Sequence, residues 1–154
     1  MSTIEKSIEV HVPVKTAYNQ WTQFEDFPKF MEGVKSVKQL DDKRLHWKAE
    51  IAGQAREWDA EIYDQIPDQR IAWRSIGGVK NAGVVMFDKV ANDRTRVRVS
   101  MEYEPHGAAE NVGDTLGIVS QRVQGDLERF KSFIEKRGQE TGAWRGEIHS
   151  GAAR

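Results

Sequence analysis

The residues of this chain best suited to polarising a carbonyl or passing a proton are few and widely spaced: Arg56, Ser75, Asn81, Tyr103 and His106. Arginine and serine can hold a carbonyl oxygen, and tyrosine or histidine can move a proton, provided each lies within hydrogen-bond reach of a substrate. Spacing along a chain does not supply that reach, and each residue has a plainer role open to it. Arg56 suits a surface ion pair, Tyr103 a core edge with a wet hydroxyl, and His106 an exposed turn. Asp59 and Glu61 form a tidy carboxylate pair, but they share a strand face with Glu57 and read as a solvated acidic strip. His11, His46, His106 and His149 lack metal-ligand spacing, and with no cysteine there is no zinc pattern. Neither "GDTLG" nor "SIGGVKNAG" matches a phosphate-binding loop or a dinucleotide fingerprint, and no G-x-S-x-G elbow is present.

Whatever positions these groups must be read from periodicity. "TIEKSIEVHV" alternates, with Ile4, Ile8, Val10 and Val12 on one face, which predicts a half-buried strand ended by Pro13. Val14, Ala17, Tyr18, Trp21 and Phe24 then follow a helical stripe. Pro28 allows at most a second short helix, beginning near Phe27. Six strand-like segments follow: "VKSVKQL", "RLHWKAEI", "AREWDAEIYDQI", "RIAWRSI", "AGVVMFDKV" and "TRVRVSMEYE". Asp41-Asp42-Lys43 and Pro67-Asp68-Gln69 are turn sequences between them. From Asn111 the period changes again. Val112, Leu116, Val119, Val123, Leu127, Phe130 and Ile134 fall on one stripe, predicting a helix to Arg137 with Asn111 as N-cap and Gly138 as its stop. The order strand, helix pair, six strands, long helix predicts an α+β fold in which a curved antiparallel sheet wraps a C-terminal helix. One domain spans residues 1–137, with a tail at 138–154 that is loosely held apart from Trp144.

Composition limits the partners. The chain has 154 residues, 23 of them basic and 24 acidic, for a formal net charge of −1. That balance gives nucleic acid no attraction. Arg94, Arg96 and Arg98 share one strand face, but the acidic neighbouring strand predicts cross-strand pairing for them instead. No apolar run reaches the roughly 18 residues of a membrane span, and the N-terminus lacks a signal-peptide pattern. The expectation is a cytoplasmic protein with no integral membrane segment and no cofactor.

Strand parity places Trp47, Trp58 and Trp73 on the inward face of three successive strands, interleaved with Ala49, Ala60 and Gly83. Flat aromatic walls beside small residues leave room for a ring or an acyl chain. Phe87, Met101, Tyr103 and Asn81 lie on the same face or at its edge. The stretch "WTQFEDFPKFMEGV" adds Phe27, Phe30 and Met31 as a lid over one end of the sheet, turned by Pro28, and at least one of the three is expected to line a pocket.

The residues "VPVKTAYNQWTQFEDFPKFM", "HWKAEIAGQAREWDAEI", "PDQRIAWRS" and "NAGVVMF", followed by Tyr103-Glu104-Pro105 and Gly107, resemble the SRPBCC superfamily. That superfamily includes START lipid-transfer domains and birch-pollen-type allergens, and the resemblance is closest to its bacterial polyketide cyclase/dehydrase group. It covers roughly residues 3 to 137. The resemblance implies a helix-grip fold of about seven strands, two short helices after the first, and a cavity between sheet and long helix that holds an apolar ligand. The leading expectation is therefore a carrier for a lipid, isoprenoid quinone or polyketide-like ring, with Phe27, Phe30, Met31, Trp47, Trp58, Trp73, Asn81, Phe87, Met101 and Tyr103 around it. The rival is a polyketide cyclase, aromatase or dehydratase using Arg56, Ser75 or Tyr103 in the same cavity. A third is an interaction module in which Trp144 and the tail dock on a partner or on a second copy as a homodimer.

Overall fold

The computed structural model of the chain describes residues 2–51, 53–77, 81–103 and 112–149. Strand β1 (Ser2–Val10) leads into helix α1 (Val14–Trp21) and a 3₁₀ turn (Phe24–Lys29). Strands β2 (Val34–Gln39), β3 (Arg44–Ile51), β4 (Gln54–Ile66), β5 (Arg70–Gly77), β6 (Asn81–Ala91) and β7 (Arg94–Tyr103) precede helix α2 (Val112–Arg137). The sheet is antiparallel throughout, in the order β1-β7-β6-β5-β4-β3-β2. This is the helix-grip arrangement, and Leu127, Phe130 and Ile134 of α2 join the buried core of the sheet. The expected second helix is a 3₁₀ turn with Pro28 inside it, beginning three residues earlier than the proline rule placed it. Phe24 and Phe27, three residues apart, both point inward from this turn, and Pro28 lacks the N–H that an α-helical bond to Phe24 O would need.

Local chemistry explains the boundaries. Asp41 Oδ1 accepts from the backbone N–H groups of Lys43 and Arg44 at 2.8 Å each, closing the β2–β3 hairpin as an Asx turn. Gly138 stops α2 at φ +75°, its N–H returning to Ile134 O at 2.8 Å. On the outer face the charges pair across strands, as the alternation predicts. Arg98 meets Asp88 at 2.6 Å, Arg74 meets Glu61 at 3.0 Å, and Arg94 meets Glu9 at 3.4 Å. The acidic strip of β4 is shared with His46, whose Nδ1 lies 2.6 Å from Asp59 and whose Nε2 lies 2.9 Å from Glu57. Both ring nitrogens face carboxylates, so the protonated ring is favoured and its pKa is pushed up, by Asp59 first and Glu57 second.

Within the described residues, positions 140–148 of the tail are tied to the rest of the fold. Residues 140–145 lie along α1 and satisfy the polar side chains that α1 buries. Asn19 donates to Glu140 at 2.8 Å and accepts from Arg145 at 2.6 Å; Gln20 accepts from Thr141 N at 2.9 Å; Thr22 Oγ1 accepts from Trp144 N at 3.1 Å. Asn19, Gln20 and Thr22 are each buried. Such groups need partners, and the tail supplies them. Ile148 then bridges to Gln65 of β4 through paired backbone hydrogen bonds of 2.8 and 2.9 Å. Trp144 is partly buried and packs against the chain's own core.

Candidate functional site

A cavity of about 190 Å³ lies between the concave face of the sheet and α2. Its walls come from every layer. Trp47 and Ala49 stand on β3, Trp58 and Ile62 on β4, Ile71 and Trp73 on β5, and Val99 and Met101 on β7. Phe24, Phe27 and Met31 close one end from the 3₁₀ turn, and Val119, Val123 and Leu127 cover the space from α2. Trp47 and Trp58, opposite each other in register, stack at 5.7 Å with planes 5° apart. Trp73 is fixed by its neighbour: its Nε1 donates to Asn81 Oδ1 at 3.0 Å, and Asn81 N donates to Ser75 Oγ at 3.2 Å.

The sequence-selected residues separate into three groups. Phe27, Met31, Trp47, Trp58, Trp73, Asn81 and Met101 all line the cavity. Phe30 and Phe87 are not among the lining residues. Phe30 is 2 % exposed and packs behind the wall against Trp21, Phe27, Phe130 and Phe133. Phe87 is 5 % exposed and meets Tyr18 and Trp21 edge-on. Arg56 and Ser75 share the inward parity but are not among the residues that line the cavity. Arg56 sits opposite Ala49 near the turn of the β3–β4 hairpin and donates to Gln54, while Ser75 accepts from Asn81. Tyr103 ends β7 with its backbone in register with Asn81 and Ser2, and His106 lies outside the described residues.

Two polar wall residues were not found from sequence. Arg122 and Asp126 follow Val119 and Val123 by three residues on α2, which sets them beside the apolar stripe at the cavity edge. Arg122 Nη1 donates to Glu32 O at 3.0 Å and Glu50 O at 3.1 Å, tying α2 to the turn before β2 and to β3. Gly33 makes room for that strap. Its φ is +87°, and a β-carbon there would fall 1.7 Å from Arg122 Nη1.

Asp126 accepts from Glu32 N at 3.0 Å and from the Arg129 guanidinium. Burial outweighs both contacts and pushes its carboxyl up to about 6 from 3.8. The folded state therefore holds this proton more tightly than the unfolded chain. The resulting stability is complete below about pH 4 and is lost as pH rises through 6. Between pH 7 and pH 5 the wild-type protein should gain about 1 kcal/mol relative to Asp126→Asn, or about 2–4 °C in Tm. Thermal melts of both proteins at the two pH values check this, and parallel curves would overturn it.

Comparison with known proteins agrees with this geometry. Residues 10–131 match the family model described as polyketide cyclase/dehydrase and lipid transport. An uncharacterized 17.2 kDa protein of Streptomyces lincolnensis is 54 % identical over 149 residues, covering 96 % of this chain and 99 % of its own. A crystal structure from Deinococcus radiodurans is similar at 29 % identity and TM-score 0.70, covering 90 % of this chain and 99 % of that one. The crystal structure of the Zhui aromatase/cyclase from a Streptomyces species has the same fold at TM-score 0.76 and 16 % identity, covering 93 % of this chain and 99 % of that one. With its seven-stranded sheet, gripped helix and apolar cavity, this chain belongs to the polyketide cyclase/dehydrase and lipid-transport family.

Proposed function

We propose that the protein binds a hydrophobic small molecule in the cavity between its sheet and α2. The observation that carries this reading is an apolar space of about 190 Å³ walled by three tryptophans, with the small side chain of Ala49 among its lining. At roughly 24 cal/mol per Å³, a fully enclosed void of this volume would cost a core on the order of 5 kcal/mol. An occupant removes that cost. The volume exceeds the roughly 150 Å³ that accepts benzene in an engineered core, and is smaller than the roughly 300 Å³ or more of a drug-sized pocket. A single ring with a short substituent fits whole. A quinone or polyketide would place one ring here and leave the rest at the mouth beside Ile118 and Arg122.

Ethylbenzene, 1,4-naphthoquinone and decanoic acid, titrated calorimetrically, test the reading. Burying about 200 Å² of apolar ring surface predicts saturable binding of ethylbenzene with Kd on the order of 0.1–1 mM. Ala49→Leu, which fills the space, should weaken it at least tenfold without lowering Tm. No saturable binding of any of the three, with nothing released on solvent extraction, would sink the proposal.

Asp126 favours a second reading, proton transfer to a bound carbonyl compound, because it lines the cavity with a carboxyl poised near 6. Arg56 and Ser75 give that reading no support, lying off the cavity wall. Turnover of a β-diketone that survives Asp126→Asn would remove it.

A further inference from the structure

Arg122 lines the cavity from α2, and its charge has no close carboxylate beside it. Its Nη1 donates to two neutral groups, Glu32 O at 3.0 Å and Glu50 O at 3.1 Å. Those bonds fix the guanidinium plane. Its other edge, Nε–H and Nη2–H₂, makes no hydrogen bond among the described residues. That edge is a fork suited to a carboxylate, which it can hold by two parallel bonds. Glu32 Oε1 stands opposite it, 3.8 Å from Nε and beyond hydrogen-bond range.

Glu32 is held loosely there. Its side chain is 69 % exposed, and its other ion pair, with Arg129 Nη1, is as long as 4.0 Å. Exposed pairs of this length contribute little, so the Glu32 carboxylate can swing away at small cost. The neighbouring charges are otherwise engaged. Asp126 accepts from Arg129 and from Glu32 N, and Glu50 meets Arg122 through its backbone carbonyl. Arg122 itself is 27 % exposed, so an anion can reach it from outside. Both Arg122 and Glu32 also line the apolar space, so a group bound between them is continuous with whatever fills it.

We propose that the Arg122 guanidinium is the head-group site of the cavity, and that the occupant is a ring or short apolar chain ending in a carboxylate, which takes the place Glu32 now holds. This rests on the cavity reading above and adds a charge to it. The apolar walls take the ring, and the Nε–Nη2 fork takes the acid at the rim. The Nη1 bonds to Glu32 O and Glu50 O stay in place throughout, so binding leaves the tether between α2 and β3 intact.

3-Phenylpropanoate and 3-phenylpropanamide test the proposal, since they share a shape and differ in charge. Both are titrated calorimetrically near pH 7.5, where a carboxylic acid is ionised. Wild type should bind the acid about three- to tenfold more tightly than the amide, the difference between a charge-assisted and a neutral contact. Raising NaCl to about 1 M should remove most of that preference. Arg122→Gln should bring the ratio to about one. Glu32→Gln, which removes the competing carboxylate, should strengthen the acid about two- to fivefold and leave the amide unchanged. That gain tests the proposal with the Arg122 tether in place, even where Arg122→Gln folds poorly. Equal affinity of the two ligands for wild type, or an acid preference that neither Glu32→Gln nor salt moves, would overturn the head-group role while leaving the cavity reading intact. Failure of both ligands to bind wild type would overturn the cavity reading and this proposal together.

Discussion

Phe30→Ala should cost about 3–5 kcal/mol of stability and lower Tm by about 6–20 °C. The residue is 2 % exposed and touches four aromatic rings: Trp21 at 6.2 Å, Phe27 at 5.7 Å, Phe130 at 5.2 Å and Phe133 at 5.4 Å between centroids. Three chain segments meet on it, α1, the 3₁₀ turn and α2. Its backbone also takes part, since Phe30 O accepts from Arg129 Nε at 3.0 Å. Truncation leaves a hole behind the cavity wall that rigid rings cannot close. Phe27→Ala is the informative comparison, because Phe27 is 3 % exposed but stands on the cavity itself. Saturating ethylbenzene should recover part of the Tm lost in Phe27→Ala, by occupying the enlarged space, and recover less in Phe30→Ala. Melts with and without ligand decide it. A loss below about 1 kcal/mol for Phe30→Ala would mean the lid is not a packing centre.

The same comparison shows what the sequence carries and what it does not. Alternation and stripe spacing identify which face of an element is apolar, so the seven strands, α2 and the inward tryptophans were legible. Parity does not say how far along a strand the covering helix reaches. That is why Arg56 and Ser75 share a face with Trp58 and Trp73 and still do not line the cavity. Parity also fails at an irregularity: the β4–β5 register shifts between Ile62 and Asp64, and Gln65 is then buried. Long-range polar pairing leaves no local trace. Asn19, Gln20 and Thr22 look like a wet helix face until residues 140–145 are laid on them, about 120 positions downstream. Arg122 and Asp126 were missed for a subtler reason, since charged residues flanking an apolar stripe usually point to water. The cavity edge is where that rule gives way.

Gly83→Ala should destabilise the sheet by about 1–3 kcal/mol and weaken ligand binding as well, although it adds a single methyl group. The reason is close approach rather than backbone freedom. A β-carbon at position 83 would lie 2.7 Å from Ser100 O and 2.8 Å from Cη2 and Cζ2 of Trp73. Ser100 O belongs to β7, whose ladder with β6 runs unbroken from Asn81–Tyr103 to Lys89–Thr95, so that oxygen cannot retreat without parting the strands. Trp73 stands directly opposite Gly83 in the β5–β6 register and is tethered by its hydrogen bond to Asn81, so its six-membered ring must tilt toward the cavity. Trp73→Phe, which removes the ring atoms that clash, should rescue part of the Gly83→Ala deficit. The remainder belongs to Ser100 O, and a double-mutant cycle in urea separates the two. Calorimetry with ethylbenzene reads the second effect, because a tilted Trp73 occupies ligand space. Native stability and unchanged affinity in Gly83→Ala would show that β6 and β7 can part at this point, and that Trp73 is not set in place by the glycine beneath it.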